Sequence, residues 1–424
     1  MTLGYIILRQ ILGSKFLYRR LCPPAMETTD FIADVSEFNR WGESVLENIQ
    51  WSFDSKEGTI PKITNEFWTS AQRKAHSLHE ISYRACYKPQ LPRFFIERLS
   101  KIGDSIYDPF MGRGTTILEA ALLGRKPLGN DINPLSKVLL EPRFNPPTLS
   151  QIEKRLEELD LSSSKESNDD LLTFFHPDTL RQIIALKEHC QGDIDSIDKW
   201  IRMVAINRLT GHSNGFYSVY SMPPNQAVSL ESQKRINAKR QQVPPKKDIL
   251  PRILAKSKSL LKDWDGKSLS KSPILSCNDA AKSTLADASI DLVVTSPPFL
   301  DVIDYQGDNW LRCWFLGLDS TDIAISQIKG LDKWQEMITE VLVELNRVVK
   351  PGGFIAFEVG EVRGGKILME DLVIPSGVKA GLEPIVVVVN AQDFTKTSNT
   401  WGVSNQKKGT NTNRIIVFRR PEID

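Results

Sequence analysis

The sequence predicts an α/β protein: a doubly wound, mostly parallel sheet with helices on both faces and a largely helical insertion. Three observations predict it. Short apolar, β-branched runs end in turns bearing glycine, proline or an acid, as buried parallel strands do. Helical patterns alternate with those runs. One long segment, residues 146–272, breaks the alternation and reads as an excursion from the sheet.

In chain order, "SIYDPF" (105–110) is a short buried strand running into the turn "MGRG", then a helix "TTILEAALLG" closed by Gly124. "KPLGNDINP" (126–134) is a second strand ending in an acidic turn. The excursion opens with the acidic, Ser-rich "EELDLSSSKESNDD", a solvated loop, and two helices are expected after it. In "IDSIDKWIRMVAINRL" the residues Ile197, Trp200, Ile201 and Val204 recur at helical spacing. From 273 the alternation returns with the strands "PILSCNDA" and "IDLVVTSPPF", and a helix at 332–350 that Pro351-Gly352-Gly353 should stop. "GFIAFEVGEV", "EPIVVVVNAQDF" and "NRIIVFRR" complete the strands.

At 424 residues the chain is large enough for one domain with an insertion, or for two domains. Residues 1–78 read as an N-terminal extension followed by a helical or irregular segment. The first 25 residues carry no acid and several basic residues, which fits either a targeting segment or an extension ahead of a start at Met26; the second is preferred. No apolar run approaches the roughly 20 residues a membrane span needs, so no membrane partner is expected. Five scattered cysteines without a C-x-x-C pair suggest a reduced, cytoplasmic protein with no structural zinc and no bound metal.

A net charge of +2 excludes a chain basic throughout, so any nucleic-acid affinity must be local. It is local: residues 231–271 hold twelve Lys or Arg, among them Lys234, Arg235, Lys239 and Arg240, against four acids, a net of +8. Such a segment can neutralise phosphates. A solvated helix face would carry lysines too.

"DPFMGRGTT" is the first chemical element. Two glycines between strand and helix let a ligand approach the backbone closely. No Lys-Ser/Thr follows the second glycine, and Thr116 and Ile117 break the dinucleotide pattern, so neither phosphate-binding fingerprint is present. The acid Asp108 instead suits a cofactor with hydroxyls and a cationic amino-acid end. Asp131, at the end of the next strand, is placed to accept from a ribose diol. S-adenosylmethionine meets those requirements. The same turn is also common in α/β folds without a ligand.

The second element is "TSPPF". Two prolines donate no N–H and fix φ, leaving rigid, outward-facing carbonyls at the carboxyl edge of the sheet. Ser296 and the Pro297 carbonyl can accept both protons of an exocyclic amine, and Phe299 can stack on the ring that carries it. Direct displacement at a sulfonium methyl needs alignment more than acid–base power. A tight turn capping a strand is the plain alternative.

Together, "DPFMGRGTTILEAALLGRKPLGNDINP" and "TSPPF" resemble the S-adenosylmethionine-dependent amino-methyltransferases of DNA, which make N4-methylcytosine or N6-methyladenine. "HEISYRACYKPQLPRFFIERL" (79–99) and "VKPGGFIAFEVG" resemble two further segments of that family. The resemblance implies a Rossmann-like methyltransferase fold with S-adenosylmethionine as cofactor. Asp108, Phe110, Gly112, Gly114 and Thr115 would line the cofactor, Asp131 would take the ribose and Asp279 the adenine amine. Ser296, Pro297, Pro298 and Phe299 would form the amine site, with Asp304 and Tyr305 beside it. Lys88 and Pro89 fall in the preceding segment. Ser-Pro-Pro with an aromatic favours cytosine N4 over adenine N6.

The implied layout places the catalytic domain at 79–145 and 273–424, with target recognition in the 146–272 insertion. DNA is the implied partner, with a cognate restriction endonuclease as a further one. An RNA amino-methyltransferase, a protein-amide methyltransferase and a catalytically silent nucleic-acid-binding module remain alternatives. Cytosine-C5 chemistry needs a cysteine nucleophile, and no Pro-Cys pair occurs. Other segments carry weaker expectations. "RLTGHSNGFYSVYSMPPNQAV" (208–228) and the polar 394–414 are possible DNA-contacting loops. His176 should cap a helix, and Trp310 and Trp314 should belong to the core.

Overall fold

The computed structural model describes residues 25–69, 75–84, 86–162, 169–223, 226–269, 273–300, 304–323, 330–362, 367–391 and 412–422. Residues 1–24, most of the polar 394–414 stretch, the centre of the Ser-rich loop and Lys271 lie outside them.

The strands are β1 (Val45–Phe53), β2 (Lys56–Asn65), β3 (Ser105–Asp108), β4 (Lys126–Asn130), β5 (Ile274–Ser276), β6 (Ile290–Thr295), β7 (Val349–Val359), β8 (Glu361–Val362), β9 (Ile367–Leu368), β10 (Glu383–Ala391) and β11 (Thr412–Arg419). Nine of them form one sheet in the order β1-β2-β10-β11-β7-β6-β3-β4-β5, and β8 pairs with β9 separately. The block from β7 to β5 and the β2–β10 pair are parallel. β11 lies antiparallel to both β7 and β10. The doubly wound, mostly parallel expectation holds.

Both faces of the central strands are buried, which is why these strands read as continuous apolar runs. On β6, Leu292 and Val294 pack with the helices Thr28–Ser36 and Gln90–Leu99 on one face. Val293 points the other way, toward the helices Leu331–Val348 and Glu370–Lys379. The last of these contains Pro375 and Gly377, poor helix formers that hide it from a periodicity reading.

Three expectations change. Residues 45–65, expected to be helical or irregular, form the β1–β2 hairpin, whose β2 joins the sheet beside β10. Its turn closes at the pair Phe53↔Lys56 with Asp54 at φ +52°, a two-residue turn that Asp tolerates. The 332–350 helix ends at Val348, before Pro351-Gly352-Gly353. Those three residues lie inside β7, where the register against β6 shifts between the Ile290 and Leu292 pairs. A bulge absorbs the stiff proline. The insertion holds more than two helices: Leu149–Glu158, Pro177–His189, Ser196–Ile206, Leu230–Arg240 and Leu250–Leu260.

Those helices bury Trp200, Ile201, Val204, Ile253 and Leu260 in a core continuous with Met111, Leu135 and Leu140 around the glycine turn. The insertion is therefore packed onto the sheet domain rather than tethered to it. His176 caps its helix, its Nδ1 accepting from Asp178 N at 3.1 Å. Trp310 and Trp314, expected in the core, are half-buried against it. Trp310 spans the boundary, donating to the Val228 carbonyl at 3.1 Å.

Candidate active site

β3 and β6 are neighbours, with Ile106 opposite Leu292 and Tyr107 opposite Val293. The chain winds outward from them in opposite directions: β4 and β5 extend one side, β7 the other. A crevice must open beyond their carboxyl ends, where no connection crosses. The glycine turn follows β3 and Ser296-Pro297-Pro298 follows β6, so the topology brings both chemical elements to that crevice. It holds a cleft of about 190 Å³.

One wall is the turn after β3. Phe110, Met111, Gly112 and Thr115 line it. Gly112 adopts φ +49° and Gly114 φ +78°. A Cβ on Gly114 would lie 2.5 Å from Leu140 Cδ1, so this glycine is demanded by packing behind the turn. Gly114 does not line the cleft, contrary to expectation. Asp108 does not line it either. Its carboxylate turns inward, accepting from Thr295 Oγ1 at 2.6 Å, Phe110 N at 3.0 Å and the Tyr87 hydroxyl at 3.0 Å. It ties the ends of β3 and β6 together. Burial pushes its pKa up to about 6 despite those donors.

Asp131 does line the cleft, just past β4. It accepts from Gly112 N at 2.8 Å and Asn133 N at 2.9 Å, so it holds the glycine turn in place. Each carboxylate oxygen keeps a further lone pair. Burial raises its pKa. Asp279, after β5, also faces the cleft from an exposed position.

The segment before the glycine turn contributes Tyr83, Cys86 and Tyr87. Lys88 and Pro89 do not line the cleft: Lys88 donates to the Thr69 carbonyl and Pro89 caps the helix Gln90–Leu99. Two buried clusters fix this segment. Glu119, on the helix after the turn, takes a bond from His79 Nε2 at 2.8 Å and another from Arg93. Burial lowers the His79 pKa to about 4, so the ring is neutral. Fully buried Arg143 donates to the carbonyls of Leu78 and Arg113, stitching segment to turn.

The opposite wall is Ser296, Pro297 and Pro298, with Tyr305 from the helix Tyr305–Leu316 and Met337 and Val341 from Leu331–Val348. Phe299 stands beside the cleft without lining it; its N–H points to the Tyr305 hydroxyl at 3.5 Å. The aromatic ring that this wall offers the cleft is that of Tyr305, because Phe299 lies past the turn that ends the strand. Asp304 caps that helix, accepting from Gly307 N at 2.8 Å, and stays outside.

Sequence reasoning missed Glu358. It sits near the end of β7, buried, with its carboxyl close to the Ser296 side chain. Burial lifts its pKa to about 7, although Ser296 and Asn413 pull the other way; Asn413 Nδ2 donates to it at 2.9 Å. The signal in "GFIAFEVG" is a lone acid inside an apolar strand.

The basic segment narrows in three dimensions. Lys247 is buried, donating to the carbonyls of Phe216 and Ser218 at 2.9 and 2.6 Å. Lys246 pairs with Asp178 and Lys267 with Asp265. Lys234, Arg235, Lys239 and Arg240 are exposed on the helix Leu230–Arg240, and none pairs with a carboxylate among the described residues. Arg240 lies over the Tyr220 ring, 3.9 Å from its centroid. None of the four lines the cleft.

Glycine backbone on one wall, carboxylates at one end, aromatic rings beside them and a proline shelf opposite suit a cofactor with a ribose diol and a cationic centre. The described residues offer no cluster for a metal ion. Fold and cleft thus fit the α/β fold and the S-adenosylmethionine cofactor that the sequence predicts.

Residues 37–137 match the N6/N4 methyltransferase family, described as DNA methylase. Over those residues the chain is similar to DNA methylases. It is 27% identical over 287 residues to the type II methyltransferase M.BsoBI of Geobacillus stearothermophilus, covering 59% of this chain and 55% of the relative. To the type II methyltransferase M.MvaI of Kocuria varians it is 30% identical over 137 residues, 32% of this chain and 27% of that one. The chain thus spans about half the length, or less, of these curated relatives. A SAM-dependent methyltransferase structure from Methanosarcina mazei matches 77% of this chain and 96% of its own, at 11% identity and a TM-score of 0.31, too low to add to the argument.

Proposed function

We propose that this protein transfers a methyl group from S-adenosylmethionine to the exocyclic amine of a base flipped out of a specific DNA site, N4 of cytosine in preference to N6 of adenine. The observation that carries the reading is one cleft lined on one side by the glycine turn after β3 and on the other by Ser296-Pro297-Pro298 after β6. Bound S-adenosylmethionine supplies an electrophilic methyl group; everything else is alignment. Asp131 and Asp279 would take the ribose and adenine, with Phe110, Gly112 and Thr115 against the cofactor.

The target amine would donate one N–H to Ser296 Oγ and the other to the Pro297 carbonyl, which fixes the orientation of its nitrogen in the cleft. As the nitrogen forms its new bond to carbon it must shed a proton. Ser296 would accept from that nitrogen with Glu358 close behind it, which gives the proton a route to a buried carboxylate. Burial makes Glu358 a stronger base than an exposed carboxylate. Tyr305, kept neutral by burial, takes the stacking place expected of Phe299. Removing the base from the stack costs a few kcal/mol. Phosphate contacts by Lys234, Arg235, Lys239 and Arg240 would help to offset it. A cognate restriction endonuclease is the partner enzyme this activity would protect against.

The test is tritiated-methyl transfer to DNA and to RNA, followed by nucleoside mass spectrometry. N4-methylcytosine in DNA is expected. N6-methyladenine would correct the base, label in RNA alone would replace the substrate class, and no label in either would end the enzyme assignment.

A further inference from the structure

The diproline shelf offers two main-chain carbonyls within one residue of each other, and an amine bonded to the wrong one would face away from the methyl donor. Only one is free. Trp334 Nε1 donates to the Pro298 carbonyl at 3.0 Å from the first turn of the helix Leu331–Val348. Its side chain is 3% exposed, so the bond is shielded from water. Three and seven residues on, the same helix face presents Met337 and Val341 to the cleft. One helix stripe therefore touches both the shelf and the space beside it.

We propose that Trp334 is a positioning residue that occupies the Pro298 carbonyl and leaves the Pro297 carbonyl as the main-chain acceptor for the target amine. The inference rests on the proposed amine site. An indole N–H is only a donor and does not titrate, so this anchor has one sense at every working pH. Glu358, close to Ser296 at the other end of the shelf, by contrast changes its charge with protonation. A proline has no N–H of its own to anchor it, so the bond to its carbonyl is the hydrogen bond that fixes Pro298 among the described residues.

The experiment is steady-state methyl transfer by Trp334→Phe and by the full-length protein carrying benzothienylalanine at 334, which swaps the indole N–H for sulfur in a ring of the same shape. One neutral hydrogen bond predicts a fall in kcat of roughly five- to tenfold in both. The KM for DNA and the calorimetric Kd for S-adenosylmethionine should change less than twofold, and the low-pH limb should stay where it is. The benzothienyl protein keeps the core filled if Trp334→Phe does not fold. An unchanged kcat, or a cofactor Kd that weakens in step with kcat, would overturn the inference alone. A wild-type protein inactive on DNA and RNA would overturn the proposed function and this inference with it.

Discussion

Replacing Glu358 by Gln should make the folded protein more stable at pH 8 while abolishing methyl transfer. Burial lifts the carboxyl from its usual 4.5 to about 7. At about 1.4 kcal/mol per pH unit, ionising it in the folded state costs about 3 kcal/mol relative to the unfolded chain. Between those two values the folded protein holds a proton that the unfolded chain has released. Stability is therefore lost as pH climbs from 4.5 through 7, and the full penalty stands above that. A glutamine has no proton to release. The difference in unfolding free energy between Glu358→Gln and wild type should be near zero at pH 4.5 and rise to as much as about 3 kcal/mol at pH 8. Urea denaturation at several pH values measures it directly. The wild-type transfer rate should rise with pH around 7, because the relay needs an ionised acceptor, and the variant should lack that limb. A pH-independent stability difference would refute the raised pKa. A variant with wild-type kcat would refute the relay through Ser296.

Further outcomes follow from the same geometry. Ser296→Ala removes an acceptor for the amine and the link to Glu358, so calorimetric cofactor binding should persist while transfer of tritiated methyl is lost; full activity would remove the proposed role. Asp131→Ala deletes a charged acceptor and frees the N–H groups of Gly112 and Asn133, so cofactor affinity should fall about tenfold or more. An unchanged Kd would contradict the ribose assignment. Neutralising Lys234, Arg235, Lys239 and Arg240 together should lower the slope of log K for DNA against log salt by up to about 3 to 4. An unaltered slope would move the phosphate contacts to another surface.

Much of this protein is legible in its sequence because its causes are local. The buried strands β6 and β10 announce themselves as apolar runs, since strands covered on both faces need apolar residues at nearly every position. The turn chemistry is equally local: glycines where φ is positive, prolines where the backbone must be stiff. Hence the two loops, the cofactor class and the sheet could be read without coordinates.

What tertiary structure decided is which side chains face the cleft. Asp108 and Gly114 belong to the right turn, yet strand pairing turns one toward Thr295 and packing presses the other against Leu140. Glu358 and Trp334 lie roughly 35 to 60 residues from the shelf they anchor and carry no motif; only adjacent placement of β6, β7 and the helix Leu331–Val348 brings them to it. The basic segment shows the same limit: composition counts lysines, but folding decides that Lys247 turns inward and leaves the helix Leu230–Arg240 exposed. Sequence determines local backbone chemistry because φ, ψ and burial pattern act over a few residues. Contacts between distant residues depend on how the sheet is wound, and that is settled only when the whole core packs.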